Sequence, residues 1–378
     1  MDLDLLLDTE ISLKTLTVQV VAVPNKKPFR SAIGVRRERR ALFVIWTDRD
    51  GAWGIGECSC RPDPYFNGEF VDGAVAVLRD YLFPLIPGRS SIRALAATVV
   101  RIRGWPFTVA ALLDALFDLL RRKGVMDVWD RWPTPPQPRI PIGISLPIFE
   151  TAAEAVARIG QAVEAGFQRV KLKVKPGMDL AVLEAVRSTF PTTRLGFDAN
   201  GSVGEQDLAF LQALAALEPV VLEQPFAPDR LDLCEFLKAF HPSLRLCLDE
   251  SINSLGTLMM AHRLQVLDEL NLKPGRVGGP LEGARILQYC ETHGIPAWVG
   301  GMFETGVGRA ANLRVAARLP GAYAHDLRPP KGYLAEDLVQ HPLAMDTDGH
   351  ISFDDRPVML DEAAFERYTT EQIVLRKM

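Results

Sequence analysis

No apolar run in the sequence is long enough to span a bilayer, and residues 1–10 are acidic where a signal peptide would be basic. Neither charge dominates, because 43 Lys and Arg oppose 47 Asp and Glu for a net charge of −4. We therefore expect no nucleic-acid or membrane partner. The five cysteines are odd in number and scattered, which argues against a disulfide framework. Buried free thiols and a reducing, cytoplasmic setting are expected instead.

The remaining composition is that of a globular protein, with 48% apolar and 24% charged residues, and 378 residues suffice for two domains. The first part alternates as strands do and then shows helical periodicity, which predicts a small α+β domain. A polar loop is predicted at residues 26–40 and a second loop at residues 60–70. The predicted strands cover residues 11–23, 41–48 and 51–58, and the predicted helices cover residues 71–86 and 106–124.

Prolines cluster at the end of that region. Pro133, Pro135, Pro136, Pro138 and Pro141 mark a stiff linker and a domain boundary. The chain accordingly divides into residues 1–138, 139–330 and 331–378. We expect the last segment, with a hairpin at residues 344–354, to fold back onto the first domain.

Five charged residues recur at intervals of 24 to 26 residues, namely Lys173, Asp198, Glu223, Asp249 and Lys273. Each ends a short apolar run directly before turn-forming residues, as a buried strand does on entering a loop. Segments with helical periodicity lie between them. This repetition predicts a parallel sheet, most simply a β/α barrel that begins at IPIGISLP and reaches an eighth strand near GAYAHD. Polar residues at the C-terminal strand ends of such barrels are typical of active sites.

Asp198, Glu223 and Asp249 hold the same position in three consecutive repeats, so a barrel would place their carboxylates side by side on one rim. Each acid alone is more typical of a solvated loop, but three unpaired carboxylates so close together would repel one another. A divalent cation resolves that repulsion, and ligation by oxygen alone favours Mg²⁺ or Mn²⁺. Asn200 and Glu250 follow two of these acids and are expected beside the ligands.

Lys171 and Lys173 point to the same face of one predicted strand, because side chains two residues apart in a strand share a face. Alternating lysines usually indicate a solvated face, but the acids at the next strand ends favour the barrel interior. A second ammonium and a bound cation would disfavour the charge of Lys173, which could then act as a base. Lys273 would face it across the cavity. Two bases flanking a metal-bound carboxylate predict removal of the proton α to that carboxylate.

The motifs KLKVKPG, FDAN, LEQP, LDES, LKPGRVGG and GGMFETGVGRAAN together resemble the enolase superfamily, in its muconate-lactonizing subgroup. The likeness is strongest to o-succinylbenzoate synthases and N-succinyl(acyl)amino acid racemases, and it extends from PFRSAIG to about Asp326. It implies an α/β fold, in which a (β/α)7β TIM-like barrel is closed by an α+β capping domain. That domain would consist of the N-terminal part and the C-terminal tail.

The resemblance also implies roles for the charged residues. Asp198, Glu223 and Asp249 match Mg²⁺ ligands. Lys173 matches the general base, Lys171 its partner and Lys273 the lysine opposite.

Further residues are implied to shape the substrate pocket. Residues 62–70 resemble a mobile capping loop, and Phe29 lies in another such loop. The implied substrate-binding residues are Phe29, Tyr65, Ser145, Asn200, Arg276, Gly300, Gly301, Met302 and Glu304.

Two reactions on a small-molecule carboxylate are implied. An o-succinylbenzoate synthase would dehydrate 2-succinyl-6-hydroxy-2,4-cyclohexadiene-1-carboxylate in menaquinone biosynthesis, with Lys173 as the base and Mg²⁺ holding the enediolate. An N-succinyl/N-acylamino acid racemase, or a bifunctional enzyme, would exchange the α proton between Lys173 and Lys273 on opposite faces. We expect the synthase. Arg276 resembles the branch in which both activities occur, or else forms a salt bridge at the rim.

Other interpretations fit less well. A dipeptide epimerase usually carries Asp-x-Asp after the eighth strand, where this chain has His325 and Asp326 followed by Leu327 and Arg328. A non-catalytic barrel would have lost an acid or a lysine, and none is lost. The segments WPFTVAALLDAL and AHDLRPPKGY depart from the family pattern, which leaves the substrate contacts near them open. A homo-oligomeric state and the preferred acyl amino acid are equally open.

Overall fold

The computed structural model describes residues 4–31, 34–320 and 323–377, with only the backbone of residues 29–31 and 34–36. Its strands, numbered in chain order, are β1 (Glu10–Ser12), β2 (Thr15–Ser31), β3 (Gly34–Thr47), β4 (Trp53–Cys58), β5 (Arg89–Ser91), β6 (Arg139–Pro141), β7 (Gly143–Leu146), β8 (Arg169–Lys173), β9 (Leu195–Asp198), β10 (Leu222–Glu223), β11 (Leu246–Leu248), β12 (Glu269–Leu272), β13 (Ala297–Val299), β14 (His350–Ser352) and β15 (Thr369–Arg376). Its α-helices are α1 (Asp4–Leu7), α2 (Val71–Ala76), α3 (Phe83–Leu85), α4 (Ile92–Val99), α5 (Pro106–Arg122), α6 (Ala152–Glu164), α7 (Leu180–Thr189), α8 (Leu208–Ala216), α9 (Leu231–Phe240), α10 (Leu255–Arg263), α11 (Pro280–Thr292), α12 (Gly306–Ala316) and α13 (Glu362–Tyr368). A π-helical segment (Val77–Leu82) joins α2 to α3, and a 3-10 turn (Pro330–Gly332) precedes the C-terminal segment.

Seven parallel strands run side by side in chain order from β7 to β13, as the strand–helix repetition predicts. His325 and Asp326 close the open edge, because they bridge Ile142 on one side and Gly300 on the other. The eighth strand is thus reduced to two residues. The predicted (β/α)7β barrel is confirmed.

The outer helices begin where the sequence supplies caps. The hydroxyl of Thr151 accepts from the backbone N–H of Glu154 at the start of α6, and the carboxylate of Asp179 accepts from that of Ala181 at the start of α7. Ser254 begins α10 with a reciprocal capping box. The strands between these helices are short and almost entirely buried. Parallel strands covered on both faces in this way leave their polar residues for the strand ends.

The capping domain is a four-stranded antiparallel sheet in the order β15-β2-β3-β4, with α5 packed against β4. Two glycines of β4 allow this close approach. A Cβ on Gly54 would lie 2.1 Å from the backbone nitrogen of Leu119, and a Cβ on Gly56 would lie 2.1 Å from the carbonyl oxygen of Ala111. The backbone of α5 therefore occupies the space that a side chain would need.

We expect Gly56→Ala to destabilise the protein, because its new methyl group would meet helix backbone that cannot rotate away. The free energy of unfolding should fall by about 1–3 kcal/mol or more, the range for an overpacked core. Urea unfolding measures the loss. Gly68→Ala is the matched control, because nothing lies within 4 Å of a Cβ at Gly68. Equal stability of the two variants would refute the close packing of β4 on α5.

The prediction of a polar loop at residues 26–40 is wrong. The strands β2 and β3 pair through most of this segment, with Pro24 opposite Glu38 and Arg30 opposite Val35. The lysines and arginines made the segment resemble a loop, but a ladder is held by backbone hydrogen bonds, which do not require apolar side chains.

The C-terminal segment follows the sequence-based prediction only in part. The strand β15 joins the capping sheet beside β2, as expected for a tail that returns to the first domain. The predicted hairpin exists, since Met345 bridges Ile351, but its strand β14 pairs with β6 at the start of the barrel region. The hairpin thus pairs with the start of the barrel region before β15 reaches the capping sheet. The signal was hidden because β6 lies inside the proline cluster, where the sequence indicated only a linker.

All five cysteines are buried free thiols, as predicted. Among the described residues, no helix combines the length and the apolar composition that a membrane crossing requires.

Candidate active site

Three consecutive strand ends place three carboxylates at the C-terminal rim of the barrel. Asp198 ends β9 and Glu223 ends β10, and the two are register partners in the parallel ladder. Asp249 directly follows β11, the next strand of the sheet. All three side chains are buried. The structure thus brings the three predicted ligands to one level of the barrel.

Lys171 lies inside the barrel on β8, surrounded by carboxylates. Its Nζ donates to the two oxygens of Glu223 at 2.7 and 2.8 Å and lies 2.9 Å from Oδ2 of Asp326. Burial opposes the charge of Lys171, but the carboxylates, Asp326 foremost, outweigh it and hold its pKa well above the usual value. Lys171 is therefore a fixed cation in this arrangement.

Lys173 points to the same face as Lys171 but reaches the mouth of the barrel, where 42% of its side chain is exposed. Its Nζ lies 3.5 Å from Oδ2 of Asp198 and donates to Oδ1 of Asn200. Asn200 in turn donates to Glu250 at 3.0 Å. Lys173 is thus the lysine of β8 that can meet a substrate, with Asn200 and Glu250 beside it.

Lys273 lies on the other side of the acids, directly after β12. Its Nζ donates to Oδ2 of Asp249 at 2.8 Å, and Arg276 donates to the other oxygen of the same carboxylate. Burial opposes the charge of Lys273, but Asp249 outweighs it and raises the pKa. Arg276 is buried and also donates to the carbonyl oxygens of Ile252 and Asn271. Arg276 thus forms a salt bridge, and a contact between Arg276 and substrate stays a prediction.

Further predicted pocket residues lie on strand β7 and directly after strand β13. Ser145 is exposed on β7 and is the register partner of Lys171. Gly300 and Gly301 follow β13, and a Cβ on Gly300 would lie 2.1 Å from Oδ1 of Asn271. A side chain at Gly300 would therefore displace the amide of Asn271, which donates to Glu223 at 2.9 Å.

The remaining predicted pocket residues lie in the loop after β13 and in the capping domain. Glu304 is buried, with Arg309 at 3.2 Å and with the backbone N–H of Met302 donating to it at 2.7 Å. Its carboxylate therefore supports the loop after β13. Tyr65 is 69% exposed on the capping loop. The side chain of Phe29 lies outside the described part of the structure.

Two residues of the centre carry no site role in the sequence-based prediction. Asp326 accepts from Arg169 at 2.9 Å and lies at 2.9 Å from Lys171, so it helps to fix the inner lysine. Asn271 holds one oxygen of Glu223. The sequence signal for Asp326 was its place at the end of the eighth strand, the same phase that identified the other acids. Asn271 lies inside an apolar run, LNLKPG, where a buried amide was the only signal.

Glu57 connects the capping domain to the loop after β13. Glu57 is the second-last residue of β4. Its carboxylate accepts from the backbone N–H and the hydroxyl of Thr305 and from the backbone N–H of Gly308. These donors lie at the start of α12, where backbone N–H groups have no partner within the helix. Glu57 therefore fixes the position of the pocket loop relative to the capping sheet.

We expect Glu57→Gln to change how stability depends on pH. Burial raises the pKa of Glu57 to about 7 from an ordinary value of 4.5. Between pH 4.5 and about 7, Glu57 keeps its proton in the folded protein but has released it in the unfolded chain. The wild-type free energy of unfolding therefore falls as pH rises through this range. Glutamine does not titrate. The stability of the variant relative to wild type should therefore rise by up to about 3 kcal/mol between pH 5 and pH 8.

Urea unfolding at the two pH values measures this change. Glu235→Gln on the exposed face of α9 is the control, and its difference from wild type should stay constant. If the stability difference between Glu57→Gln and wild type were also independent of pH, the raised pKa of the buried Glu57 would be contradicted.

The site geometry agrees with the comparison to protein families. The family described as enolase C-terminal domain-like matches residues 154–363, which is more than half of the chain. The chain belongs to the enolase superfamily. Its sequence motifs resemble those of the muconate-lactonizing subgroup.

Three relatives illustrate the likeness. An o-succinylbenzoate synthase of Enterococcus faecalis is 33% identical over 89% of this chain and 92% of its own length. An N-succinylamino acid racemase of Thermus thermophilus is 34% identical over 86% of this chain and 88% of its own length. The solved structure of a probable mandelate racemase from Alicyclobacillus acidocaldarius has a TM-score of 0.88 and 33% identity, and the match covers 97% of this chain and 98% of that one.

Members of the enolase superfamily typically use a divalent metal ion, and the donor chemistry of this site fits one. Asp198, Glu223 and Asp249 supply only carboxylate oxygens, the ligands that Mg²⁺ prefers. Burial raises the pKa of Glu223 to about 8 although Lys171 lies beside it, and a divalent cation would favour the ionised form further. The oxygens of Glu223 and Asp249 accept hydrogen bonds from Lys171, Lys273 and Arg276. Among the described residues, no three His, Cys, Asp or Glu side chains are therefore arranged to hold a metal ion as they stand. These side chains would have to turn for an ion to bind.

Proposed function

We propose that this enolase superfamily enzyme is an o-succinylbenzoate synthase, which removes water from 2-succinyl-6-hydroxy-2,4-cyclohexadiene-1-carboxylate. One observation carries the proposal. Across the sheet, the strand ends present a lysine from β8, acids from β9, β10 and β11, and a lysine from β12. This order suits a carboxylate substrate that is held at the acids through a cation and approached by an amine from either side.

The chain's own residues divide the dehydration among them. Lys173, exposed at the mouth, would take the proton from the ring carbon that bears the carboxylate. Hydroxide would leave the neighbouring carbon on the same face and take up that proton as water, and the new carbon–carbon double bond makes the ring aromatic. Asp198, Glu223 and Asp249 would hold Mg²⁺, which when bound stabilises the negative charge on the substrate carboxylate. Lys273 would lie over the ring as a cation.

The unequal setting of the two lysines supports a reaction with one base. The side chain of Lys173 is 42% exposed, whereas that of Lys273 is 12% exposed and is held by Asp249. A dehydration on one face needs only the more accessible lysine.

An N-succinylamino acid racemase is the second candidate. Lys273 lies on the side of the acids opposite to Lys173, which is the placement that two-base proton exchange requires. Arg276 beside Asp249 fits the branch in which both activities occur. The relatives divide between the two names at similar identity.

Two assays on the magnesium-loaded enzyme separate the candidates. Formation of o-succinylbenzoate is followed by ultraviolet absorbance, and inversion of N-succinyl amino acids is followed by polarimetry. We expect turnover in the first assay. Turnover in the second assay alone would replace the synthase by the racemase.

The variant Lys273→Arg separates the synthase from the racemase further, because arginine keeps the positive charge of residue 273 but cannot act as a base. A synthase should retain part of its activity in this variant and lose more in Lys273→Ala. A racemase should lose activity equally in both variants.

A further inference from the structure

A chain of hydrogen bonds connects three strand ends at the C-terminal rim of the barrel. Nζ of Lys173, the last residue of β8, donates to Oδ1 of Asn200, and Nδ2 of Asn200 donates to Oε1 of Glu250 at 3.0 Å. Asn200 lies two residues after the end of β9, and Glu250 lies two residues after the end of β11. The chain therefore links the proposed base to an acid that is not one of the three expected metal ligands.

Lys173 needs a partner that holds its ammonium group in place. The stem of a lysine is four flexible carbons long, and 42% of this side chain is exposed, so packing restrains it little. In the described part of the chain, its Nζ has two partners, Asp198 and Asn200. The distance to Asp198 is 3.5 Å, which is long for a hydrogen bond. The amide of Asn200 is therefore the closer contact of the proposed base.

The backbone of Asn200 is itself held in place. Its φ of 45° lies in the left-handed region, which asparagine enters more readily than most residues. Its N–H donates to Oδ1 of Asp198 at 3.1 Å, and the N–H of Gly201 donates to the carbonyl oxygen of Gln224 at 2.8 Å. The side-chain amide can still turn, so that either its oxygen or its nitrogen faces Lys173. Only the oxygen can accept from an ammonium group.

Glu250 determines which end of this amide faces Lys173. Its Oε1 accepts from the amide nitrogen of Asn200, which leaves the amide oxygen directed at the ammonium group. We propose that Glu250 is a positioning residue, which acts on the proton transfer through Asn200. The inference rests on the proposed function in one respect, namely that Lys173 is the base.

Steady-state kinetics tests this role in whichever of the two assays the wild type turns over. Saturating magnesium keeps a change in metal affinity from affecting the rate. Glu250→Gln should lower kcat about 10- to 100-fold, because glutamine can donate as well as accept and no longer fixes the amide, and a misplacement of about 1 Å can cost about 10²-fold. KM should stay within about threefold, since the contact affects the reacting step rather than substrate binding. The isotope effect of a deuterium in place of the α proton should increase, because a slower proton transfer limits kcat more.

A double-mutant cycle shows whether the effect of Glu250 passes through Asn200. Asn200→Ala should lower kcat by a similar factor, and adding Glu250→Gln to it should change kcat by less than about twofold, because the intermediate partner is already gone. Effects that multiply would overturn the proposal, since Glu250 would then act independently of Asn200. Glu235→Gln, at an exposed position of α9, is the matched control and should keep the kcat of wild type.

Crystal structures of wild type and Glu250→Gln need no substrate, so they separate this inference from the proposed function. In the variant, Lys173 should leave Oδ1 of Asn200 or take several conformations. An unchanged contact between Lys173 and Asn200 would overturn the role of Glu250, as would an unchanged kcat alongside an active wild type. If the wild type turns over in neither assay, the proposed function fails, and the crystal structures alone decide whether Glu250 holds Lys173 in place.

Discussion

Lys173→Ala should lower kcat by about 10²–10⁴-fold in either the dehydration or the racemization, which is the usual contribution of a general base, because no other exposed amine of β8 can replace it. Lys171 lies on the same face but is fixed among Asp326, Glu223 and Asp198. The loss should appear in kcat more than in KM, since the proposed base would contact the proton only during the reaction. Steady-state kinetics in the ultraviolet and polarimetric assays measures it.

Lys175→Ala is the matched control for this loss. Lys175 lies two residues beyond Lys173, in the loop after β8, and is exposed, so its removal changes the local charge equally. Its kcat should stay within about twofold of wild type, as for most surface substitutions. Retained turnover in Lys173→Ala, with the fold intact by circular dichroism, would remove Lys173 as the base.

Glu223→Gln should weaken magnesium binding by at least about 100-fold, because even residues that only support metal ligands cost about 10–100-fold when they are changed. Glu223 is fully buried between Asp198 and Asp249, so no solvent-exposed group can take its place. Glutamine keeps the volume and a hydrogen-bond acceptor for Lys171 while it removes the charge. Magnesium titration of the variant, followed by the recovery of activity and by calorimetry, gives the change.

Glu235→Gln provides the corresponding control, because Glu235 is an exposed acid in the middle of α9 and not at a strand end. Its magnesium affinity should equal that of wild type. An unchanged magnesium titration in Glu223→Gln would reject the assignment of Glu223 as a ligand.

The barrel and the centre of the candidate site follow from local sequence patterns. Asp198, Glu223 and Asp249 end apolar runs at nearly even spacing, and a parallel barrel converts even spacing along the chain into neighbouring positions in space. The two lysine-bearing strand ends obey the same rule. The period that predicts the fold therefore also predicts which residues meet.

Interactions across distant parts of the chain were harder to predict. Glu57 accepts a hydrogen bond from Thr305 at the start of α12, which is 248 residues away in the sequence. No local pattern relates the two segments. The pairing of β14 with β6 involves strands of only three residues, too short for periodicity. The outer part of the β2–β3 ladder, within residues 26–40, was missed because backbone hydrogen bonds hold it while many of its side chains are polar.

A crystal structure with Mg²⁺ and o-succinylbenzoate bound tests most directly whether the three acids and Lys173 act on a carboxylate substrate. We expect one ion with an oxygen of Asp198, of Glu223 and of Asp249 at about 2.0–2.1 Å, and the ring carboxylate of the ligand beside it. Nζ of Lys173 should face the ring carbon that bears this carboxylate. Acids that stay paired with Lys171, Lys273 and Arg276 at saturating magnesium, with no ion between them, would contradict the account.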